Sequence, residues 1–190
     1  MSASARQPRK DAQANRAHIL AVAAHAFAHE GVDVSMDAIA RKAGIGSATL
    51  YRNFPSKDAL LAMLLAPHHE VLAERRRAIE QHAGDAGGRL HQWIDALGDW
   101  MLAYDGLPEP LKAAWSTASP LKPACDDLIA ATDGFLRAAQ RDGLARPGLS
   151  GRDVFLAALA VAWASGRTTA QENTRSMLGN ILRNGWAVGD

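Results

Sequence analysis

The stretch Met36-Asp-Ala-Ile-Ala-Arg-Lys-Ala-Gly-Ile-Gly-Ser-Ala-Thr-Leu-Tyr-Arg-Asn-Phe54 reads as two short helices crossing steeply over a tight turn. Ala40 is small where the two helices approach most closely, and a larger side chain there would push them apart. Gly44 ends the first helix and supplies the left-handed backbone that the turn needs. Ile39, Ala43, Ile45 and Leu50 face inward, leaving Ser47, Ala48, Thr49, Tyr51, Arg52 and Asn53 to point outward. Small hydrogen-bonding residues at the start of such a helix reach base edges in a major groove. Arg and Asn suit bidentate reading of guanine and adenine. The plainer alternative is a hairpin inside a helical bundle, but a buried hairpin has no use for that polar outward face.

Working outward, a first helix is expected from about Asp11 to Glu30, with Ile19, Ala23, Ala26 and Phe27 on one face and Gly31 as its stop. Ser35 is a good N-cap for the second helix, with Val34 and Ile39 placed as a hydrophobic staple. Pro55 ends the third helix near Asn53. Ser56 caps a long fourth helix reaching about His82, in which Pro67 predicts a kink or break. Gly84, Gly87 and Gly88 read as the next loop, and a fifth helix follows over about Arg89–Tyr104. A short sixth helix runs through Ala113 and Trp115, and a seventh opens at Ser119-Pro120 and ends near Asp142-Gly143. Ser150 caps an eighth through Trp163, and a ninth follows Asn173. No segment alternates apolar and polar residues as a half-buried strand does, so the fold class is all-α with about nine helices. Residues 1–66 are expected to form an N-terminal arm and three-helix head, and residues 67–190 a C-terminal ligand-binding and dimerisation bundle.

Charge divides along the same boundary. The formal net charge of the 190 residues is only +1. Residues 1–57 hold eight Lys or Arg against four acids, and the remainder holds 13 basic and 16 acidic residues. A basic first third on a mildly acidic body fits a polyanion-binding module, the alternative being a chance excess on a solvated surface. One cysteine, Cys125, excludes an intramolecular disulfide and a cysteine-built zinc site. The longest strictly apolar run, Val154 to Ala164, is about half of the roughly 20 residues that span a bilayer. The N-terminus lacks a signal peptide's apolar core, so a soluble cytoplasmic protein with no membrane partner is expected.

The segment from Ser35 through Gly44, continued by Ser47-Ala-Thr-Leu-Tyr-Arg-Asn-Phe-Pro-Ser-Lys-Asp-Ala-Leu-Leu61, closely resembles the tetracycline-repressor (TetR) family. Arg16-Ala-His-Ile-Leu-Ala-Val-Ala-Ala-His-Ala-Phe-Ala-His-Glu-Gly31 is similar to that family's first helix. The resemblance implies a helical homodimer with an N-terminal DNA-binding domain and a divergent C-terminal ligand domain. It also implies phosphate contacts at Ser35, Thr49, Tyr51 and Lys57, and positions at or near bases for Ser47, Ala48, Arg52 and Asn53. Family members commonly carry His where this chain has Asn53. The arm with Arg6, Arg9 and Lys10 is either a further DNA contact or an untethered end.

Beyond residue 67, Leu90, Trp93, Leu97, Trp100 and Tyr104, then Gly106-Leu107 and Leu111, resemble the SbtR-like subset of that family's C-terminal domains. All five tryptophans lie in this part. Trp93, Leu97, Trp100, Met101, Tyr104, Trp115 and Phe135 are candidates to line a cavity for a flat or greasy effector, or else they fill the core. Leu156, Leu159 and Trp163 on the eighth helix, with Met177, Leu178, Ile181 and Leu182 on the ninth, are candidates for self-association. The expected partners are thus double-stranded operator DNA, a second copy of the chain and a small-molecule effector. No cofactor, metal or catalytic residue is expected. His25 and His29, and His68, His69 and Glu70, lack a marked third ligand, and no phosphate loop or nucleophile motif occurs. A regulator without a small ligand, or a helical metal-dependent enzyme, are the rival readings.

Overall fold

The structure is a computed structural model that describes residues 7–115, 118–166 and 173–188, with side chains from residue 11 onward. Arg6 and the side chains of Arg9 and Lys10, the basic arm of the sequence reading, lie outside the described residues. Helices follow in the order α1 (Gln7–Glu30), α2 (Met36–Lys42), α3 (Ser47–Asn53), α4 (Lys57–Gln81), α5 (Ala86–Met101), α6 (Pro108–Ala113), α7 (Lys122–Arg141), α8 (Gly151–Ala164) and α9 (Thr174–Trp186). Among the described residues the only β pairing is an isolated antiparallel bridge between Ala145 and Ala187. The all-α expectation holds.

Capping chemistry sets most of these boundaries. Ser35, Ser56 and Ser150 each accept a hydrogen bond from the backbone three residues on, and Ser150 and Asp153 complete a reciprocal capping box. Several expectations need correction, among them the ends of α5 and α6, which stop at Met101 and Ala113 rather than at Tyr104 and Trp115. α1 begins at Gln7, four residues earlier than read, because Pro8 is tolerated in a first helical turn. Gly87 and Gly88 are not loop but the first turn of α5, because Asp85 caps that helix by accepting from the Gly88 N–H. α7 starts at Lys122: the Ser119 hydroxyl accepts from the Leu121 N–H and closes a turn ahead of the helix. Finally, the kink or break read at Pro67 is not a break: α4 runs through it without interruption. Buried Leu60, Leu61 and Leu65 before the proline, and Leu72 and Ile79 after it, hold both halves against the molecule and offset one lost backbone bond.

Two packed regions result. The head is α1–α3 with the start of α4, closed over Ile19, Ala23, Phe27, Ile39, Leu50 and Phe54. The body is built on α5, α7 and α8, with Trp93, Leu97, Leu128, Leu136, Phe155 and Ala158 inside. α4 belongs to both, and shorter links reinforce it. The Val32 N–H donates to the Asp105 carbonyl at 2.8 Å, and the Ser119 hydroxyl donates to Asp58 at 2.6 Å. Phe27 meets Tyr104 edge-on with ring centroids 6.0 Å apart.

Val154–Ala164, strictly apolar along its length, is covered on one side only. Val154, Phe155, Ala158, Leu159 and Ala162 are buried, whereas Leu156 and Trp163 are exposed, Trp163 by 61%. On α9, Met177 and Ile181 are likewise exposed, Leu178 and Leu182 are half-buried, and only Trp186 is fully packed. A helix apolar all round thus keeps one uncovered face within a single chain.

Candidate nucleic-acid interface

The turn between α2 and α3 is held by backbone geometry. Gly44 takes φ +65°, the Ile45 N–H donates to the Ala40 carbonyl at 3.0 Å, and the Gly44 N–H donates to the Arg41 carbonyl at 3.1 Å. This double closure satisfies two terminal carbonyls of α2 and turns the chain sharply toward α3. Ala40 is buried at that turn, as its small size requires. Ile39 and Leu50 are fully buried, which fixes the rotation of both helices. Ser47, Ala48, Tyr51 and Arg52 therefore face solvent, with Thr49 and Asn53 half-buried beside them. The structure brings all six onto one helix of seven residues, with Ser35 exposed at the start of α2 and Lys57 half-buried at the start of α4.

The polar groups of this face are held by one another. The Ser47 hydroxyl donates to Asp37 at 2.7 Å, tying α3 to α2. Arg52 Nη2 donates to the Thr49 hydroxyl at 3.0 Å, and Asn53 Nδ2 donates to the Thr49 carbonyl at 2.9 Å. Lys57 Nζ donates to the Val32 carbonyl at 2.8 Å. Sequence reasoning missed three contributors. Asp37 anchors Ser47, His18 Nε2 bonds the Ala43 carbonyl at 3.1 Å, and Arg16 Nη1 donates to the Asn53 carbonyl at 2.9 Å. The available signal was Arg16 lying three, seven and eleven residues before the inward-facing Ile19, Ala23 and Phe27, hence on the face of α1 toward α3.

The expected cavity-lining residues are mostly buried in the core. Trp93 stacks on Phe135 at 5.3 Å, and its Nε1 donates to the buried Thr132 hydroxyl at 2.9 Å. Leu97 and Met101 are fully buried, and burial raises the Tyr104 phenol above its ordinary pKa. Trp115 meets Phe155 edge-on at 5.4 Å. Trp100 alone of the seven borders one of the described clefts, a space of about 330 Å³ between α4 and α5. Pro67, Val71, Leu72 and Arg75 form its other wall. Trp100 is buried and its Nε1–H has no hydrogen-bond partner. Among the described residues no cluster of three or more His, Cys, Asp or Glu is placed to hold a metal ion. No helix there is long and apolar enough to cross a membrane.

Similarity to known proteins follows the same division. Residues 19–64 match the bacterial regulatory proteins of the tetR family, and residues 85–188 match the SbtR-like transcriptional regulator C-terminal domain. An HTH-type transcriptional regulator of Staphylococcus aureus (strain USA300) is 49% identical over 53 residues, 27% of this chain and 29% of that protein. The match thus spans less than a third of the curated relative's length. The crystal structure of the TetR transcriptional regulator SCO0520 from Streptomyces coelicolor is 27% identical, covering 92% of this chain and 99% of that one with a TM-score of 0.56. The ketosteroid transcriptional regulator KstR2 of Mycobacterium tuberculosis shares the fold at 22% identity, with 92% and 95% covered and a TM-score of 0.55. With α3 exposed on a braced head and both parts of the chain matched, the protein belongs to the TetR family of bacterial transcriptional regulators, with an SbtR-like C-terminal domain.

Proposed function

We propose that this chain acts in the cytoplasm as a homodimeric repressor, released from a palindromic operator by a small organic effector. The observation that carries the reading is the face of α3, where Ser47, Ala48, Tyr51 and Arg52 are exposed on a helix whose opposite side is locked by Leu50. A two-turn helix presented this way fits a major groove, with Ser47, Ala48, Arg52 and Asn53 at the bases and Ser35, Thr49, Tyr51 and Lys57 on phosphates. Two such heads about 34–36 Å apart would read successive grooves of one duplex face.

The uncovered face of Leu156, Trp163, Met177 and Ile181 supports a two-fold partner, with Leu159, Leu178 and Leu182 beneath it. For the effector, the α4–α5 cleft at Trp100 supports entry beside the helix that leads from the reading head into the body. An effector there needs only to favour the DNA-incompetent head spacing by a few kcal/mol. Trp93, Leu97, Met101, Tyr104, Trp115 and Phe135 would then repack around it. Their burial, with Trp93 stacked on Phe135, also favours a second reading, a regulator controlled without a small ligand.

Selection of bound fragments from the source genome tests the first claim: an inverted repeat with half-sites one helical turn apart is expected. Recovery of fragments without shared sequence would overturn it. A thermal-shift screen of organic metabolites then divides the two readings, since only the first predicts a stabilising compound that also releases the selected fragment.

A further inference from the structure

We propose that Arg16 is a positioning residue for DNA reading. It reaches from α1 to fix the C-terminal end of α3, and so the angle at which Arg52 meets the bases. The inference rests on the proposed role of α3 as the reading helix.

The two ends of α3 are held differently. Its N-terminal end is fixed by the Gly44 turn and by the bond from Ser47 to Asp37. Its C-terminal end has no following helical turn, because Phe54 is extended (ψ 99°) and Pro55 comes next. Carbonyls left open at such an end need outside donors. The Leu50 carbonyl accepts from the Phe54 N–H at 2.8 Å, and the Thr49 carbonyl accepts from Asn53 Nδ2. The Asn53 carbonyl accepts from Arg16, whose guanidinium carbon also lies 4.3 Å from the centroid of the buried Phe54 ring. Cation and helix C-terminus attract, and the planar guanidinium supplies both an in-plane bond and a face for the ring. One side chain therefore grips the last carbonyl of the helix and the first residue after it.

The leverage follows from length. A seven-residue helix is about 10 Å long, so a tilt of roughly 10° moves its free end by about 2 Å. That displacement is large against the narrow distance range of a hydrogen bond to a base edge. Arg52 stands at the free end. Contacts to phosphates are less demanding, since they bear on affinity for every sequence alike. Arg16 accordingly governs discrimination between sequences more than attraction to DNA.

The test compares wild type with Arg16→Ala and Arg16→Lys, using the genomically selected operator and a random duplex of equal length across a salt series. For Arg16→Ala, operator affinity is expected to fall about tenfold, the size of one lost base pairing, with random-duplex affinity within about twofold. The salt slope should stay within experimental error, and base preference should blur at the positions that Arg52→Ala also affects. Arg16→Lys keeps the charge and one donor without the flat face, so an intermediate specificity ratio is expected. Equal losses on both duplexes, with the salt slope reduced by about one, would mean a phosphate contact and overturn the proposal. A lowered melting temperature with an unchanged specificity ratio would also overturn it, leaving Arg16 a purely stabilising residue. If Arg16→Ala does not fold, the ratio for Arg16→Lys decides by the same criterion. Wild-type protein without any sequence preference would refute instead the assignment of α3 as reading helix, an outcome distinct from these.

Discussion

Lys57 stands where the proposed DNA contact and the head–body contact meet. Its ammonium donates to the Val32 carbonyl, while the Val32 N–H donates to the Asp105 carbonyl in the body. An ammonium has three donors, so a phosphate contact remains open to it. Tyr51→Ala and Lys57→Ala should each weaken binding to all sequences, and Lys57→Ala should also lower the salt slope by about one. Unchanged titrations for both variants would remove the phosphate assignment. At the positions proposed to face bases the two candidates differ. Half-buried Asn53 donates to its own helix through the Thr49 carbonyl, whereas Arg52 is exposed, bonds the Thr49 hydroxyl and is freer to reorient. Arg52→Ala should therefore relax operator preference more than Asn53→Ala, as read by repeat selection with each variant. The single thiol makes a separate, simpler case. Burial, with a smaller push from Asp126, raises Cys125 to about 11, so it is a protonated thiol at neutral pH. Thiol reagents should label it only as fast as the native protein opens; rapid labelling at neutral pH would contradict its burial.

Among the elements, α8 shows most directly how a start signal becomes tertiary structure. Ser150 and Asp153 form the capping box, and Gly151 in the first turn lies against the α7 backbone at Asp133. A Cβ placed on Gly151 would stand 2.5 Å from the Asp133 nitrogen, a contact that backbone cannot relieve cheaply. Gly151→Ala should cost about 1–3 kcal/mol through this overpacking, and Ser150→Ala about 1 kcal/mol through the lost cap. Denaturant unfolding checks both; a Gly151→Ala protein as stable as wild type would mean that α7 and α8 are less closely apposed. α4 teaches the converse. Its proline was legible, but the continuity of the helix across it was not, because side-chain burial on both sides outweighs one missing backbone bond.

For the molecule as a whole, the largest unspent feature is the apolar face of α8 and α9. Trp163 and Ile181 are each 61% exposed, far more than residues of their size need to be in a monomer that hides its core. Trp163→Glu and Ile181→Glu should yield monomers at concentrations where the wild type sediments as a dimer. Operator affinity should fall steeply with them, since a single head loses the second half-site. Random-duplex affinity per chain should change little. A monomeric wild type at micromolar concentration would remove the two-headed mechanism.

Much of this protein was legible in its sequence because local chemistry is short-ranged. Serine caps, Gly44 and helical periodicity are each decided within a few residues, so the helix order, the turn and the outward face of α3 could be read directly. The resemblance carried by Arg16–Gly31, Ser35–Gly44 and Ser47–Leu61 pointed to the family on the same local grounds. Tertiary structure decided what depends on residues distant in the chain. Arg16 meets Asn53 across 37 positions, Trp93 meets Thr132 across 39, and Ser119 meets Asp58 across 61. No periodicity encodes such pairings, because each depends on how whole helices pack. For the same reason only the folded chain distinguishes tryptophans that fill the core from Trp100 beside a cleft and Trp163 on an open face.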